Sequence, residues 1–187
     1  DRGTSGLLVL AKKPAALRAL QLAFRQRQVK KIYQLLVWGR WPRRLTRVDL
    51  RLQRFETRWG ERRVRVASDG QSARTDFIIL DAHDKLSRLE AILHTGRTHQ
   101  IRVHMAHRQM PVVGDPVYGG RLRLPKAADR DLVELLKNFR RQALHATRLT
   151  LEHPRSGETM SWEVDVPPDM QALIEALRHD AAGHAND

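Results

Sequence analysis

No cysteine occurs among the 187 residues, so a thiol nucleophile, a disulfide and a cysteine-ligated zinc site are all excluded. No apolar run approaches the roughly 20 residues that a membrane-spanning helix needs. The first residues also lack the charged, apolar, then small-residue order of a secretory signal. A soluble, unexported protein in a reducing cytoplasm is therefore expected, without membrane contact and as a monomer. Internal repeats and low-complexity tracts are absent. Gly3 and Gly6 open the chain, but an apolar strand pattern follows them, whereas phosphate-cradling glycine loops lead into a helix N-terminus. His94, His99 and His104 lie five residues apart, and on a helix each such step turns the side chain by about 140°. Only His104 and His107 could share a face, so neither a metal site nor a cofactor is expected.

Acidic residues are scarce in one stretch. Residues 25–74 hold 15 basic and 4 acidic side chains, while residues 151–187 hold 2 basic and 8 acidic ones. The net charge of +13 is thus polarised, and a polyanion is the natural partner for its basic part. The cations are 27 arginines against 7 lysines, and arginine's planar fork suits phosphate contacts and base stacking. Nucleic acid is favoured over a lipid surface.

A chain of this length supports one domain with a full core, here placed over residues 1–178, with 179–187 expected to be a disordered tail. After the opening turn, Leu7–Ala11 reads as a buried strand. Pro14 is suited to a first helical position, and Leu17, Leu20 and Phe24 recur at helical spacing behind it. Ile32–Gly39 is a second apolar strand, and Trp41-Pro42 marks the turn beyond it. Between Val48 and Val66 arginines alternate with apolar residues, as expected of strands with one wet, cationic face. Strands follow at Ala73–Leu80 and Leu86–His94, after the Asp69-Gly70 turn.

Thr98 is a plausible cap for a short helix over Gln100–Arg108. That helix would bury Ile101, Val103 and Met105 and leave a polar face for hydrogen bonds to bases or phosphates. Pro111–Gly120 is too rich in glycine and proline for regular structure. Leu132, Leu135, Leu136 and Phe139 fit one helical face, as do Met170, Leu173, Ile174 and Leu177. Leu144–Leu151 and Thr159–Val166 are candidate strands between them. Strands outnumber helices and several are joined by turns too short for crossovers, which predicts an α+β domain: a mixed, largely antiparallel sheet with flanking helices.

Five ordered anchors run through this pattern: Asp1-Arg2-x-Thr4-Ser5-Gly6; Lys31-Ile32-Tyr33 followed by Gly39; Thr95 to His104 (TGRTHQIRVH); Gly114-Asp115-Pro116-x-Tyr118-Gly119; and Leu144-His145-Ala146. With these the chain resembles the RluA/RluC/RluD-type family of RNA pseudouridine synthases over nearly its whole length. Glu61-Arg62-Arg63-Val64-Arg65-Val66 is similar to the RluC-type branch, which modifies large-subunit ribosomal RNA. The resemblance implies a catalytic role for Asp1, an active-site role for Tyr33, and an ion pair from Arg102 to the aspartate. From their charge and hydrogen-bonding side chains, Arg2, Arg62, Arg63, Arg65, Arg97, Thr98, His99, Gln100 and His104 are expected to contact the RNA.

Gly3 stands where the family often has an acidic residue. The chain opens on Asp1 without the family's preceding His-Arg-Leu, so earlier residues, including the RNA-binding module common in this branch, are expected to precede it. By itself the aspartate on its turn, like Tyr33 in its strand, has an ordinary structural explanation. Two other classes stay open: a non-catalytic RNA-binding or ribosome-assembly module, and a metal-dependent phosphodiesterase using Asp1, Asp115 and nearby histidines.

Overall fold

The protein was described from a computed structural model covering residues 1–183. Its elements are β1 (Ser5–Gly6), α1 (Pro14–Arg25), β2 (Lys30–Trp38), β3 (Arg47–Glu56), β4 (Arg62–Val66), β5 (Gln71–Ala82), β6 (Leu86–Leu93), α2 (Gln100–His107), α3 (Arg130–Asn138), β7 (Leu144–Glu152), β8 (Thr159–Glu163) and α4 (Pro168–Gly183). Among the described residues the strands form one eight-stranded sheet in the order β1-β7-β2-β6-β5-β3-β4, with β8 also on β7. Every pairing is antiparallel except β1 with β7. This is the expected α+β architecture with a largely antiparallel sheet.

β2 sits at the centre, between β6 and β7, and its run Leu35–Trp38 is wholly buried. A strand covered on both faces has no polar face to present, which is why this segment reads as continuous rather than alternating. Leu132 and Leu136 of α3 and Met170, Leu173, Ile174 and Leu177 of α4 are each at most 2% exposed and belong to the same core cluster as β2 and β6. Their 3.6-residue spacing is what puts them on one stripe. The β2–β7 pairing slips between Ile32 and Tyr33, where Thr147 of β7 is left over. Such a bulge locally re-aims side chains. Upstream, the strand period of two keeps Lys31 and Tyr33 on one face.

Four expectations are corrected. Leu7–Ala11 is not a strand: only Ser5–Gly6 pairs with β7, and the last bond on this path runs from Leu7 N to Ala146 O (3.0 Å). Leu7, Val9 and Ala11 pack on Leu149 and Leu151, while Leu8 and Leu10 are about four-fifths exposed (80% and 79%). The period-2 pattern is real, but among the described residues no strand lies alongside to accept its hydrogen bonds.

Thr98 does not cap α2. The cap position is His99, in the left-handed region at φ 54°, with no side-chain capping bond, and Thr98 Oγ1 instead accepts from Arg54 (2.5 Å).

α2 has no free polar face. It is buried from Gln100 to Met105, held between the main core (Ile101, Met105) and a smaller cluster around Val103 with Leu52, Val64 and Ala73. Residues 179–183 are not a disordered tail but the last turns of α4. Asp180 is 2% exposed there and accepts from Lys85 Nζ (2.7 and 2.8 Å) and Asp129 N (2.8 Å). A buried carboxylate accepting three charge-assisted or amide hydrogen bonds holds a helix end that composition alone marks as polar. Residues 184–187 of the expected tail lie outside the described residues.

Burial inside α2 has a measurable consequence. His104 is 0% exposed, shares one hydrogen bond with Thr75 Oγ1 (3.2 Å), and its Nε2 has no partner among the described residues. Burial pushes its imidazole down to about 4. Burial likewise lowers His99 and His145. The unfolded chain takes up protons below the ordinary histidine value of about 6.5, while folded His104 stays neutral until about 4. Stability is therefore full above about pH 6.5 and falls as pH drops from there to about 4, by on the order of 3 kcal/mol from His104 alone. Urea unfolding at pH 7.5 and 4.5 measures this, and His104→Leu should flatten the difference. An unchanged pH slope in that variant would contradict the assignment.

Candidate active site

Asp1 is carried on a turn that the fold clamps to the start of β7. Gly6 faces Ala146 so closely that a Cβ there would lie 2.3 Å from the Ala146 carbonyl oxygen, and its φ of +102° is one that side chains rarely adopt. Glycine alone allows this approach. Gln142, 1% exposed, donates to Arg2 O (2.7 Å) and Thr4 Oγ1 (3.1 Å). Arg141 donates to Gly3 O and Ser5 Oγ (both 3.3 Å) and is held in turn by a bidentate pair with Asp169 of α4 (2.7 and 2.8 Å). Ser5 Oγ also meets His145 Nδ1 (2.9 Å). The turn is thus tied to α4 and β7 by side chains outside the Asp1 motif.

The Asp1 carboxylate, 19% exposed, faces two groups: Arg102 Nη1 lies 3.6 Å from Oδ2, and His99 Nε2 lies 3.5 Å from Oδ1. Arg102 is oriented mainly by another acid. Its fork meets Asp115 through Nε (2.7 Å) and Nη2 (2.8 Å), with the Arg102 side chain 4% and the Asp115 side chain 0% exposed. Asp115 also accepts from the Val117 and Tyr118 amides (both 2.9 Å). Burial pushes the Asp115 carboxyl up, but the Arg102 fork and these two amides outweigh it and leave the pKa lowered. Asp115 is therefore an anion that fixes the guanidinium, and the fork's remaining nitrogen turns toward Asp1.

Tyr118 completes the layer. Its ring lies 5.0 Å from the Arg102 guanidinium, and its hydroxyl accepts from Val64 N (3.0 Å) and meets His99 Nδ1 (2.8 Å). Where the hydroxyl donates to Nδ1, the proton of a neutral His99 sits on Nε2, facing the acceptor-only Asp1 carboxylate. Burial and then the Arg102 charge lower the His99 pKa, consistent with that neutral form.

Asp1 and His99 border a cleft of about 460 Å³ whose walls also include Lys31, Tyr33, Arg97 and Thr98. Burial raises the Tyr33 pKa, so its hydroxyl keeps its proton at neutral pH. The structure brings Asp1, Tyr33 and Arg102 together as the motifs implied. It divides the RNA-binding set. Arg2, Arg62 and Arg65 are exposed, Arg63 is partly so, and Arg97 and Thr98 line the cleft.

Gln100 and His104 are corrected: both are interior. Gln100, 2% exposed, bonds Thr95 Oγ1 (2.7 Å), Thr75 Oγ1 (2.9 Å), Arg74 O (3.0 Å) and Arg97 N (3.0 Å). A buried amide must be satisfied internally, and this one shapes the Gly96–Thr98 turn instead of reading a base. Sequence reasoning missed Gln142 and Arg141 because nothing local marks them. Asp115 lay in a motif, yet its service to Arg102 depends on a contact across thirteen residues.

The sheet, the clamped aspartate and the Asp–Arg–Asp line define a class. A family model described as RNA pseudouridylate synthase matches residues 1–107, and the chain belongs to that family. It is 42% identical over 187 residues, all of its length and 56% of the relative's, to the ribosomal large subunit pseudouridine synthase D of Escherichia coli strain K12. It is 40% identical to the protein of the same name in Haemophilus influenzae, over all of its length and 57% of that protein's. The chain thus spans little more than half the length of these relatives.

Among solved structures, human RNA pseudouridylate synthase domain containing 1 superposes with a TM-score of 0.65 at 26% identity, covering 95% of this chain and 77% of that one. Human RNA pseudouridylate synthase domain containing 4 gives 0.69 at 24%, covering 91% and 70%. The relatives carry the D name, so the finer RluC-type placement suggested by Glu61–Val66 is not supported. That stretch is the edge strand β4 and the residue before it.

Proposed function

We propose that this chain is the catalytic core of a pseudouridine synthase acting on uridines of large-subunit ribosomal RNA, as a cytoplasmic monomer without metal or cofactor. The observation that carries the reading is the Asp1 carboxylate held at the cleft between Arg102 and His99, with Tyr33 on the same wall. The isomerisation breaks the bond between ribose C1′ and uracil N1, turns the base, and joins C1′ to C5. The C5 proton leaves and N1 gains one, so atoms and electrons balance without an oxidant or an energy source. Asp1 supplies the negative charge at the reacting bond, as nucleophile or base, and the Arg102–Asp115 pair orients it. Tyr33 stacks on the uracil and stands near the proton to be moved. A uridine in structured RNA is stacked or paired, so it enters the cleft extruded. Arg2, Arg62, Arg63, Arg65, Arg97 and Thr98 hold the flanking strand, chiefly through phosphates.

The phosphodiesterase reading requires converging metal ligands. Among the described residues no three His, Cys, Asp or Glu side chains are grouped to hold a metal ion, and both Asp115 oxygens are engaged by Arg102 and backbone amides. The test is tritium release from C5-labelled uridine in a large-subunit RNA transcript, using the full-length protein with a strong chelator present. Tritium release with pseudouridine in the digest is expected. Binding without release would identify a non-catalytic module. Chelator-sensitive strand cleavage would identify a phosphodiesterase.

A further inference from the structure

Among the described residues Lys31 is the charged residue of the cleft left with neither a carboxylate nor a hydrogen-bond acceptor, whereas Arg97 at least donates to Ser72 O. It stands two residues before Tyr33 on the same face of β2, is 8% exposed, and lines the same cleft as Asp1. Among the described residues its ammonium has no hydrogen-bond acceptor and no carboxylate within 4.0 Å. Its neighbours are the Phe24 ring, with the centroid 5.7 Å from Nζ, and the bare backbone of Gly96, where an added Cβ would lie 3.6 Å from Nζ. Lys85 shows how this fold treats a sheltered lysine when the role is structural. Its side chain is more exposed, at 18%, yet its ammonium takes three acceptors: Ala127 O and both Asp180 oxygens. An ammonium largely withdrawn from water without a partner is costly. Burial first, and then the Arg27 charge, lower the Lys31 pKa, so a bound anion would restore what the fold withholds.

We propose that Lys31 is the phosphate-binding residue of the cleft, holding the phosphate of the nucleotide whose base lies against Tyr33. The proposal rests on the reading of the cleft as a uridine site and adds to it which protein group neutralises that nucleotide's backbone. A carbonyl oxygen of the base could accept a hydrogen bond from Nζ, but only a phosphate supplies the missing counter-charge. Phe24 beside the ammonium sets an apolar wall there, and a charge pair is stronger next to low-dielectric surface.

The test uses nucleotides and needs no turnover. Wild-type protein, Lys31→Met and Lys31→Arg are titrated calorimetrically with uridine, uridine 3′-monophosphate and uridine 5′-monophosphate. Wild type should bind one of the monophosphates about tenfold more tightly than uridine, the scale of one charge-assisted contact. Lys31→Met should level that preference while binding uridine as before, and Lys31→Arg should keep most of it. Methionine fits the space of the buried stem, so the apo melting temperature of Lys31→Met should not fall. A preserved preference in Lys31→Met overturns the proposal, as does a wild type with no preference or no binding of either monophosphate. If the phosphate preference depends on Lys31 but the full-length protein never converts uridine in RNA, the synthase reading fails and the phosphate site stands.

Discussion

Asp1→Asn in the full-length protein is expected to reduce pseudouridine formation to background while RNA binding stays within a few-fold of wild type. The amide is nearly isosteric with the carboxylate, and the turn that carries it is held by Gln142, Arg141 and Gly6, none of which uses the Asp1 side chain. The nearest cation lies 3.6 Å away and is already engaged by Asp115, so folding should lose little. What disappears is the charge at the reacting bond. A loss in turnover with binding intact is the signature of an interaction made in the transition state. Single-turnover conversion and filter binding on the same RNA measure the two quantities. Normal conversion by Asp1→Asn would remove Asp1, and the mechanism with it.

Arg102→Leu should also abolish conversion, but with a second effect that Asp1→Asn lacks. Asp115 would keep its charge and its two amide donors in a fully buried position without the guanidinium. Removing one partner of a buried pair costs about 3–5 kcal/mol, so urea unfolding should show a loss of that order. Because the native state lowers the Asp115 pKa, the pair's stabilisation is present above the ordinary carboxylate pKa of about 4 and disappears as pH falls through the folded value. The stability gap between wild type and Arg102→Leu should therefore narrow in acid. Equal stability of the two proteins at pH 7 would mean that the pair contributes nothing net.

Together the two variants separate the roles in the Asp–Arg–Asp line. In the proposed mechanism Asp1, open to the cleft, carries the chemistry, while Asp115, whose side chain is sealed, carries the geometry. Arg102 serves both, which is why its loss should register in two assays.

Much of this protein was legible in its residues. The continuous apolar run of β2, the period of two in β5 and β6 and the 3.6-residue stripes of α3 and α4 mark their elements, because each buries one face or both against the same core. The ordered motifs hold Asp1 and Tyr33 of the cleft wall and Arg102 beside Asp1, and the polarity of the charge marks the chain's cationic part. What these patterns report is local chemistry and the side on which a residue must lie. They do not report how many sides are covered. α2 reads as an amphipathic helix with a free polar face, but two clusters enclose it, so Gln100 and His104 turn inward and bond to Thr75 and its neighbours. Leu7–Ala11 alternates like a strand and lacks only a neighbour, which is a property of the sheet and not of the segment. Gln142, Arg141 and Asp115 acquire their roles through contacts over 138, 136 and 13 residues. Only the tertiary structure decides these, because side-chain hydrogen bonds at that separation depend on the whole path of the chain between them.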